Sequence, residues 1–363
     1  MKKYIWMLGL LMVGGLVYWM LTKKEIFLSP LSGEKTKNEI KNDLKVFGFL
    51  PTWMVGKTRE YSNEISHLIF LGIESDEKGD LIWDIQSKKI NNEMFLKQKK
   101  IIKENGGKNI LGIKLFDDNK LRTLFENKEY LSNLTKQIKE VVVENNFDGV
   151  NLDFEFQGDP VAILSEEFGN FVDGLRLAGI KEISVDVFAN TIIKGDEQKL
   201  KLLIGKIDHL VVMAYDFHRP GVDFAGPVAP IGSPVGKRNI REVLEKIIAV
   251  NLDKRKIIMA YPLYGYEWQT YTKDFGSQIR RGWYQMSSWN RTKELVKEKN
   301  LEVNWDEMSM TPWLVFEDNK KIHQIYFENE RSLRAKIDLV KQNQLGGYGF
   351  WALGYEGEDD VFF

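Results

Sequence analysis

The chain has 363 residues, 43% of them hydrophobic, with 30 glycines and a formal net charge of -1. Such a chain is too apolar for disorder and long enough for a barrel of about 250 residues with insertions, and its near-neutral charge gives no support for nucleic-acid binding. The absence of cysteine excludes disulfides, thiolate nucleophiles and a lipidated N-terminal cysteine.

Lys2 and Lys3 precede an uncharged apolar run, residues 4–21, and Lys23 and Lys24 follow it. That run is about long enough to cross a bilayer, and its exit, Tyr18-Trp19-Met20-Leu21-Thr22-Lys23, lacks the small residues of a signal-peptidase site. Residues 1–24 therefore predict an uncleaved transmembrane anchor, with Trp6, Tyr18 and Trp19 at the membrane interfaces. Lysines at both ends leave the orientation unset. An extracytoplasmic domain on a single-pass anchor in the cell membrane is expected, with secretion after cleavage as the alternative. Residues 25–44 are polar and predict a tether; residues 45–363 predict the folded domain.

From residue 45 onward, β-type runs fall at 46–50, 67–73, 109–116, 149–156, 183–188, 210–215, 256–261 and 347–351. Stretches of helical periodicity separate most of them, among them 92–104, 131–145, 166–178, 239–250 and 330–342. This alternation predicts an α/β fold, a (β/α)8 TIM barrel. The interval between the seventh and eighth runs is too long for one helix, so residues 268–325 predict a small α+β insertion. Trp268, Trp283, Trp289, Trp305 and Trp313 lie in it. Most are expected to form its core, with one or two reaching a ligand.

The fourth run is the most informative: Asp148-Gly149-Val150-Asn151-Leu152-Asp153-Phe154-Glu155-Phe156. Side chains alternate along a strand, so Asn151, Asp153 and Glu155 share one face at steps of about 6.6 Å, opposite Val150, Leu152, Phe154 and Phe156. A solvated edge strand shows the same pattern. Between two helical stretches, however, a strand belongs to a parallel sheet buried on both faces, where carboxylates are costly without a purpose. Crowded carboxylates raise one another's pKa, so one can stay protonated near neutrality. One acid and one anion are what glycoside cleavage requires.

Other strand ends add candidates. The sixth run ends in Tyr215-Asp216, where the tyrosine either points its hydroxyl into a site or is buried against backbone. The eighth ends in Trp351, the first is followed by Trp53 and the seventh by Tyr264, and the Gly/Pro-rich stretch 220–234 predicts a shaped loop. His67, His209, His218 and His323 are scattered without the i, i+4 spacing of a metal-binding helix, and no Gly-rich phosphate loop occurs. No metal and no cofactor are expected.

These motifs together resemble glycoside hydrolase family 18, the chitinase-like barrels, over nearly all of residues 45–363. The family's D-G-x-D-x-D-x-E signature is similar to residues 148–155, its M-x-Y-D to Met213-Ala214-Tyr215-Asp216, and its strand-eight tryptophan to Trp351. Tyr215-Asp216-Phe217-His218, the segment 226–231 and the segment 261–268 are most similar to the bacterial spore cortex and cell-wall N-acetylglucosaminidase branch. The wall-binding repeats usual there are absent.

The resemblance implies a retaining, substrate-assisted hydrolysis of β-1,4 bonds next to N-acetylglucosamine in peptidoglycan or chitin-like glycans. It makes Glu155 the general acid and base, Asp153 the group that orients the substrate acetamide, Tyr215 a donor to the acetamido oxygen and Asn151 a support for Asp153. It assigns Trp351, Met213, Asp216 and Tyr264 to substrate binding, to which the strand-end position adds Trp53, and leaves Asp148 as a structural residue near the site. Asn151 stands where most chitinases carry aspartate, which predicts that Asp153 ionises more easily than in a three-carboxylate site. The expected partner is an N-acetylglucosamine-containing polysaccharide, the expected state a monomer. A catalytically silent, lectin-like member is the alternative function, although such members usually lose the residues kept here as Asp153 and Glu155.

Overall fold

The computed structural model describes residues 44–233 and 237–361. The expected anchor at 1–24 and, apart from Leu44, the expected tether at 25–44 lie outside the described residues. Among the described residues no helix is long and apolar enough to cross a membrane.

Eight parallel strands close on themselves: Lys45–Pro51, His67–Ser75, Lys108–Leu115, Gly149–Phe154, Ile183–Phe188, His209–Met213, Ile257–Pro262 and Gly347–Trp351. The first pairs with both the second, in the register Phe47↔His67, and the eighth, in the register Phe47↔Gly349, which seals the barrel. Every residue of the fourth strand is buried, as a sheet covered on both faces requires. Its two faces enter different cores. Val150, Leu152 and Phe154 pack outward against the helix layer, where Phe154 stacks on Phe171 at 6.2 Å. The interior is filled by Phe47, Phe49, Ile69, Ile110, Val211, Ile258 and Ala260. Replacing a buried phenylalanine such as Phe154 by alanine would cost about 3–5 kcal/mol.

Polar residues fix the helix starts. Asn92 caps Glu93–Glu104, Asn127 caps Lys128–Glu144, Ser165 caps Glu166–Leu177 and Asn239 caps Ile240–Ala249. Each accepts from free backbone N–H groups of the first turn, a stabilisation of about 1 kcal/mol. Asn329 and Ser332 close a reciprocal capping box at Glu330–Gln342.

Two strands end two residues earlier than their periodicity suggests. The fourth stops at Phe154, after which Glu155 donates its N–H to Leu115 O at 3.0 Å and the chain leaves the sheet. The sixth stops at Met213, because Asp216 turns the chain with a φ of 58°. Both departures lie at the C-terminal mouth, the end of a barrel where loops build sites.

Between the seventh and eighth strands stands a five-stranded antiparallel sheet running from Tyr264 to Tyr326, with the helix Trp289–Lys299 against it. Gly265 admits this sheet: a Cβ there would meet Tyr326 O at 1.8 Å. Trp268, Ile279 and Tyr326 form its core with Ala225, contributed by the loop after the sixth barrel strand.

Candidate active site

The C-terminal mouth of the barrel opens into a cavity of about 490 Å³. Asp153 and Glu155 reach it from the fourth strand, and Met213, Tyr215 and Asp216 from the sixth. Tyr264 follows the seventh strand, Trp351 ends the eighth and Trp53 follows the first. Eight of the ten residues singled out in the sequence thus share one cavity. Asn151 lies one layer below, fully buried, and Asp148 at the opposite end of its strand. There Asp148 accepts from the backbone N–H of Asn109 at 2.9 Å and pairs with Lys103. It tethers neighbouring strands and is not near the site, as it was expected to be.

Strand alternation explains the arrangement. Asn151 and Asp153 point into the barrel, and Glu155, just beyond the last paired residue, continues their direction into the cavity. Gln157 donates to the Glu155 carboxylate. Burial, then the charge of Asp216, push Glu155 up to about 7, against the opposing charges of Arg219 and Lys114 and the Gln157 bond. The acid is therefore substantially protonated at neutral pH.

The fifth strand brings a residue that the motif reading passed over. Asp186, only 4% exposed, lines the cavity and accepts a 2.7 Å hydrogen bond from Asn151 Nδ2, which also donates to Ser184 Oγ at 3.0 Å. Burial raises Asp186 to about 8, with a further push from Glu155 and opposition from the Asn151 bond. Burial, then the charges of Asp186 and Glu155, lift Asp153 well above the usual carboxylate range. Two expectations are corrected. Asn151 hydrogen-bonds Asp186 and Ser184 rather than Asp153. Asp153 is held above the usual carboxylate range by burial first and then by Asp186, a carboxylate of the next strand that the expectation of easy ionisation left out. The signal was present in Ile183-Ser184-Val185-Asp186-Val187-Phe188, whose alternation puts Ser184 and Asp186 on one face.

Asp216 is fixed by two phenols, Tyr264 at 2.5 Å and Tyr266 at 3.4 Å. Its own carboxyl is raised by burial. Burial and the four surrounding carboxylates, Asp153, Glu155, Asp186 and Asp216, hold the Tyr215 hydroxyl far above its ordinary value, so that it stays a neutral donor. Trp351 packs against Phe49 and Trp53, each with ring centres at 6.1 Å, and its peptide bond to Ala352 is cis. None of the five tryptophans of the insertion lines the cavity; its contributions are Tyr264, Tyr266 and Met286. Trp268 is core, Trp313 stacks on Tyr326 at 6.0 Å, and Trp289 donates to Asp359 at 2.8 Å. Trp283 packs on His323, and Trp305 lies under Arg331.

At the far end of the barrel, His67, Glu182 and His209, distant in sequence, converge. His67 Nε2 lies 2.6 Å and His209 Nε2 3.4 Å from Glu182 Oε1, and Lys108 pairs with the other oxygen. Burial opposes ionisation of Glu182, but the bonds from His209, His67 and Lys108 outweigh it and hold the group well below the usual carboxylate range. The 2.6 Å contact is a hydrogen bond, and both carboxylate oxygens already face nitrogen partners. The cluster reads as an ion-paired plug of the barrel floor.

The family model for glycosyl hydrolases family 18 matches residues 42–356. The uncharacterized glycosylase YvbX of Bacillus subtilis is 25% identical over 334 residues, 88% of this chain and 91% of that protein. The cortical fragment-lytic enzyme of Bacillus subtilis is 28% identical over 149 residues, 41% of this chain and only 32% of that enzyme. Among solved structures, the Group IV chitinase of Ostrinia furnacalis in complex with allosamidin superposes with a TM-score of 0.73 at 18% identity, covering 88% of this chain and 96% of that one. The spore cortex-lytic enzyme SleL of Bacillus megaterium does so with a TM-score of 0.66 at 23% identity, covering 86% and 71%. Both structural likenesses are likenesses of fold.

Proposed function

The chain belongs to glycosyl hydrolase family 18, and from that premise we propose that it hydrolyses β-1,4 bonds next to N-acetylglucosamine by a retaining, substrate-assisted route. The observation that carries this reading is Glu155: a carboxyl raised to about 7 by burial, opening into a cavity large enough for a sugar.

In this mechanism Glu155 gives its proton to the glycosidic oxygen as the bond to the anomeric carbon breaks. The substrate's own acetamido oxygen attacks that carbon from the other face and forms an oxazolinium. Asp153 orients the acetamide and, as an anion, faces its positive charge. Tyr215 donates a hydrogen bond to the acetamido oxygen. Glu155, now a carboxylate, takes a proton from water, which opens the oxazolinium and returns the acetamide. Two inversions leave the configuration retained. Trp351 forms the floor under the reacting sugar, with Trp53, Met213, Tyr264 and Asp216 around it.

Peptidoglycan is favoured over chitin as substrate. Lys114, Arg219 and Arg238 line the cavity, and among the described residues Arg219 forms no ion pair with an acidic side chain. A guanidinium at the cavity without such a pair, Arg219, suits a glycan that bears carboxylates on its lactyl and peptide groups, whereas chitin is neutral. Residues 1–24 would hold the enzyme, acting as a monomer, at the outer face of the cell membrane. Digesting purified peptidoglycan and chitin oligomers side by side and weighing the products tests the assignment. Faster release of muropeptide-bearing fragments supports it, faster cleavage of chitin oligomers reassigns the substrate, and binding without cleavage of either leaves the lectin-like alternative.

A further inference from the structure

The parallel register of the fourth and fifth strands runs Val150↔Ile183, Asn151↔Ser184, Leu152↔Val185. The paired ladder ends there, and the same register continued by one residue brings Asp153 beside Asp186, whose charge acts on Asp153, on neighbouring strands about 4.8 Å apart. Both side chains point into the barrel, both are at least nine-tenths buried, and both line the cavity. Asn151 grips Asp186 from one residue pair below, at 2.7 Å. Asp153 Oδ1 is buried and makes no hydrogen bond among the described residues.

We infer that Asp186 is a positioning residue for the hydrolysis proposed above: from the next strand it supplies the second carboxylate of an aspartate pair with Asp153, and Asn151 holds it there. The inference rests on that functional reading and extends it to a residue outside the D-G-x-D-x-D-x-E segment.

The chemistry follows from the pairing. Two buried carboxyl groups this close do not both ionise at neutral pH, so the pair holds one proton. When substrate enters, Asp153 must become the anion that faces the oxazolinium. The proton then resides on Asp186, where Asn151 Nδ2 fixes one oxygen and leaves the other free to carry it. The pair has one proton before and after the step; only its seat changes, and no outside acid or base is consumed. The surrounding groups fit this division. Lys114, from the third strand, favours the charged form of Asp153. Arg219, beyond the sixth, acts on Glu155 and Asp216. Glu155, Asp216 and Tyr215 complete the ring of titratable groups around the pair. A merely structural Asp186 would be a costly way to satisfy one amide, which a neutral serine or asparagine could do at no charge-burial penalty.

The test uses the full chain and three variants, D186N, N151D and the exchange N151D/D186N. The exchange keeps the hydrogen bond between the two positions with donor and acceptor reversed, and moves the second carboxylate back to the fourth strand. D186N is expected to lower kcat on the order of 10- to 100-fold, with KM within a few-fold of wild type. The exchange is expected to recover at least a tenth of wild-type kcat. Thermal unfolding within a few degrees of wild type verifies that each variant folds. Wild-type kcat in a folded D186N, or a loss that the folded exchange does not recover, overturns the inference alone. A wild type that cleaves no amino-sugar polymer overturns the functional reading with it.

Discussion

Asn151 donates its side-chain amide to Asp186 at 2.7 Å, linking the fourth and fifth barrel strands directly beneath the cavity. The amide is a donor that an aspartate at the same position would lack. Asn151→Asp therefore adds a third carboxyl group beside Asp153 and Asp186 and removes the bond that holds Asp186 down. Like charge raises a carboxyl pKa. The acid limb of the kcat–pH profile should move to higher pH in N151D, and an unmoved limb would contradict the coupling.

Glu155 must be protonated to act as an acid, and its carboxyl sits at about 7. The sign follows: the active form predominates below about 7 and is lost as pH rises through it. The kcat/KM profile should fall on its alkaline side with a midpoint near 7. After burial, the charge of Asp216 is the largest influence raising Glu155. Asp216→Asn keeps an acceptor for Tyr264 while removing that charge, so the midpoint should shift to lower pH.

Two tryptophans separate binding from folding. Trp53 is 41% exposed and faces the cavity, whereas Trp268 is 1% exposed and lies in the insertion's core. Trp53→Ala should raise KM several-fold with little change in melting temperature. Trp268→Ala should destabilise by about 3–5 kcal/mol, while the protein that remains folded keeps its kcat. Thermal melts and kinetics on both variants distinguish the roles.

The barrel floor should govern acid stability. Glu182, held below its ordinary 4.5 by His209, His67 and Lys108, contributes stability that is present above that value and is lost as pH falls toward the folded-state pKa. His67, whose pKa burial lowers, adds in the same direction: the folded state disfavours its charged form, so stability also drops below pH 6.5. Melting temperature should fall steadily from pH 7 to pH 4. Glu182→Gln should lower stability at pH 7 and flatten the part of the slope below pH 4.5.

Much of this was legible in the sequence, for identifiable reasons. Periodicity located all eight barrel strands, because each is a short apolar run and most are separated by helices with polar caps. It placed the ends of the fourth and sixth too late, since Phe156 and Tyr215 continue the alternation after the hydrogen-bond ladder has stopped at Phe154 and Met213. Trp53, Tyr215 and Trp351 were found because aromatic residues at strand ends stand out. Asp186 was passed over because a single aspartate in an apolar run carries no motif; its meaning depends on which strand lies beside it. The insertion's tryptophans were overrated for the same reason. Residue type alone does not tell a small core such as that of Trp268 and Tyr326 from a cavity wall. His67, Glu182 and His209 meet only through barrel closure, which no local spacing encodes.

The most direct measurement is the rate at which wild type and Glu155→Gln hydrolyse the same N-acetylglucosamine polymer, with binding followed in parallel. Unchanged binding and a rate lower by on the order of 10²–10⁴ are expected if Glu155 supplies the proton. A glutamine variant that hydrolyses the polymer at near the wild-type rate would contradict that role.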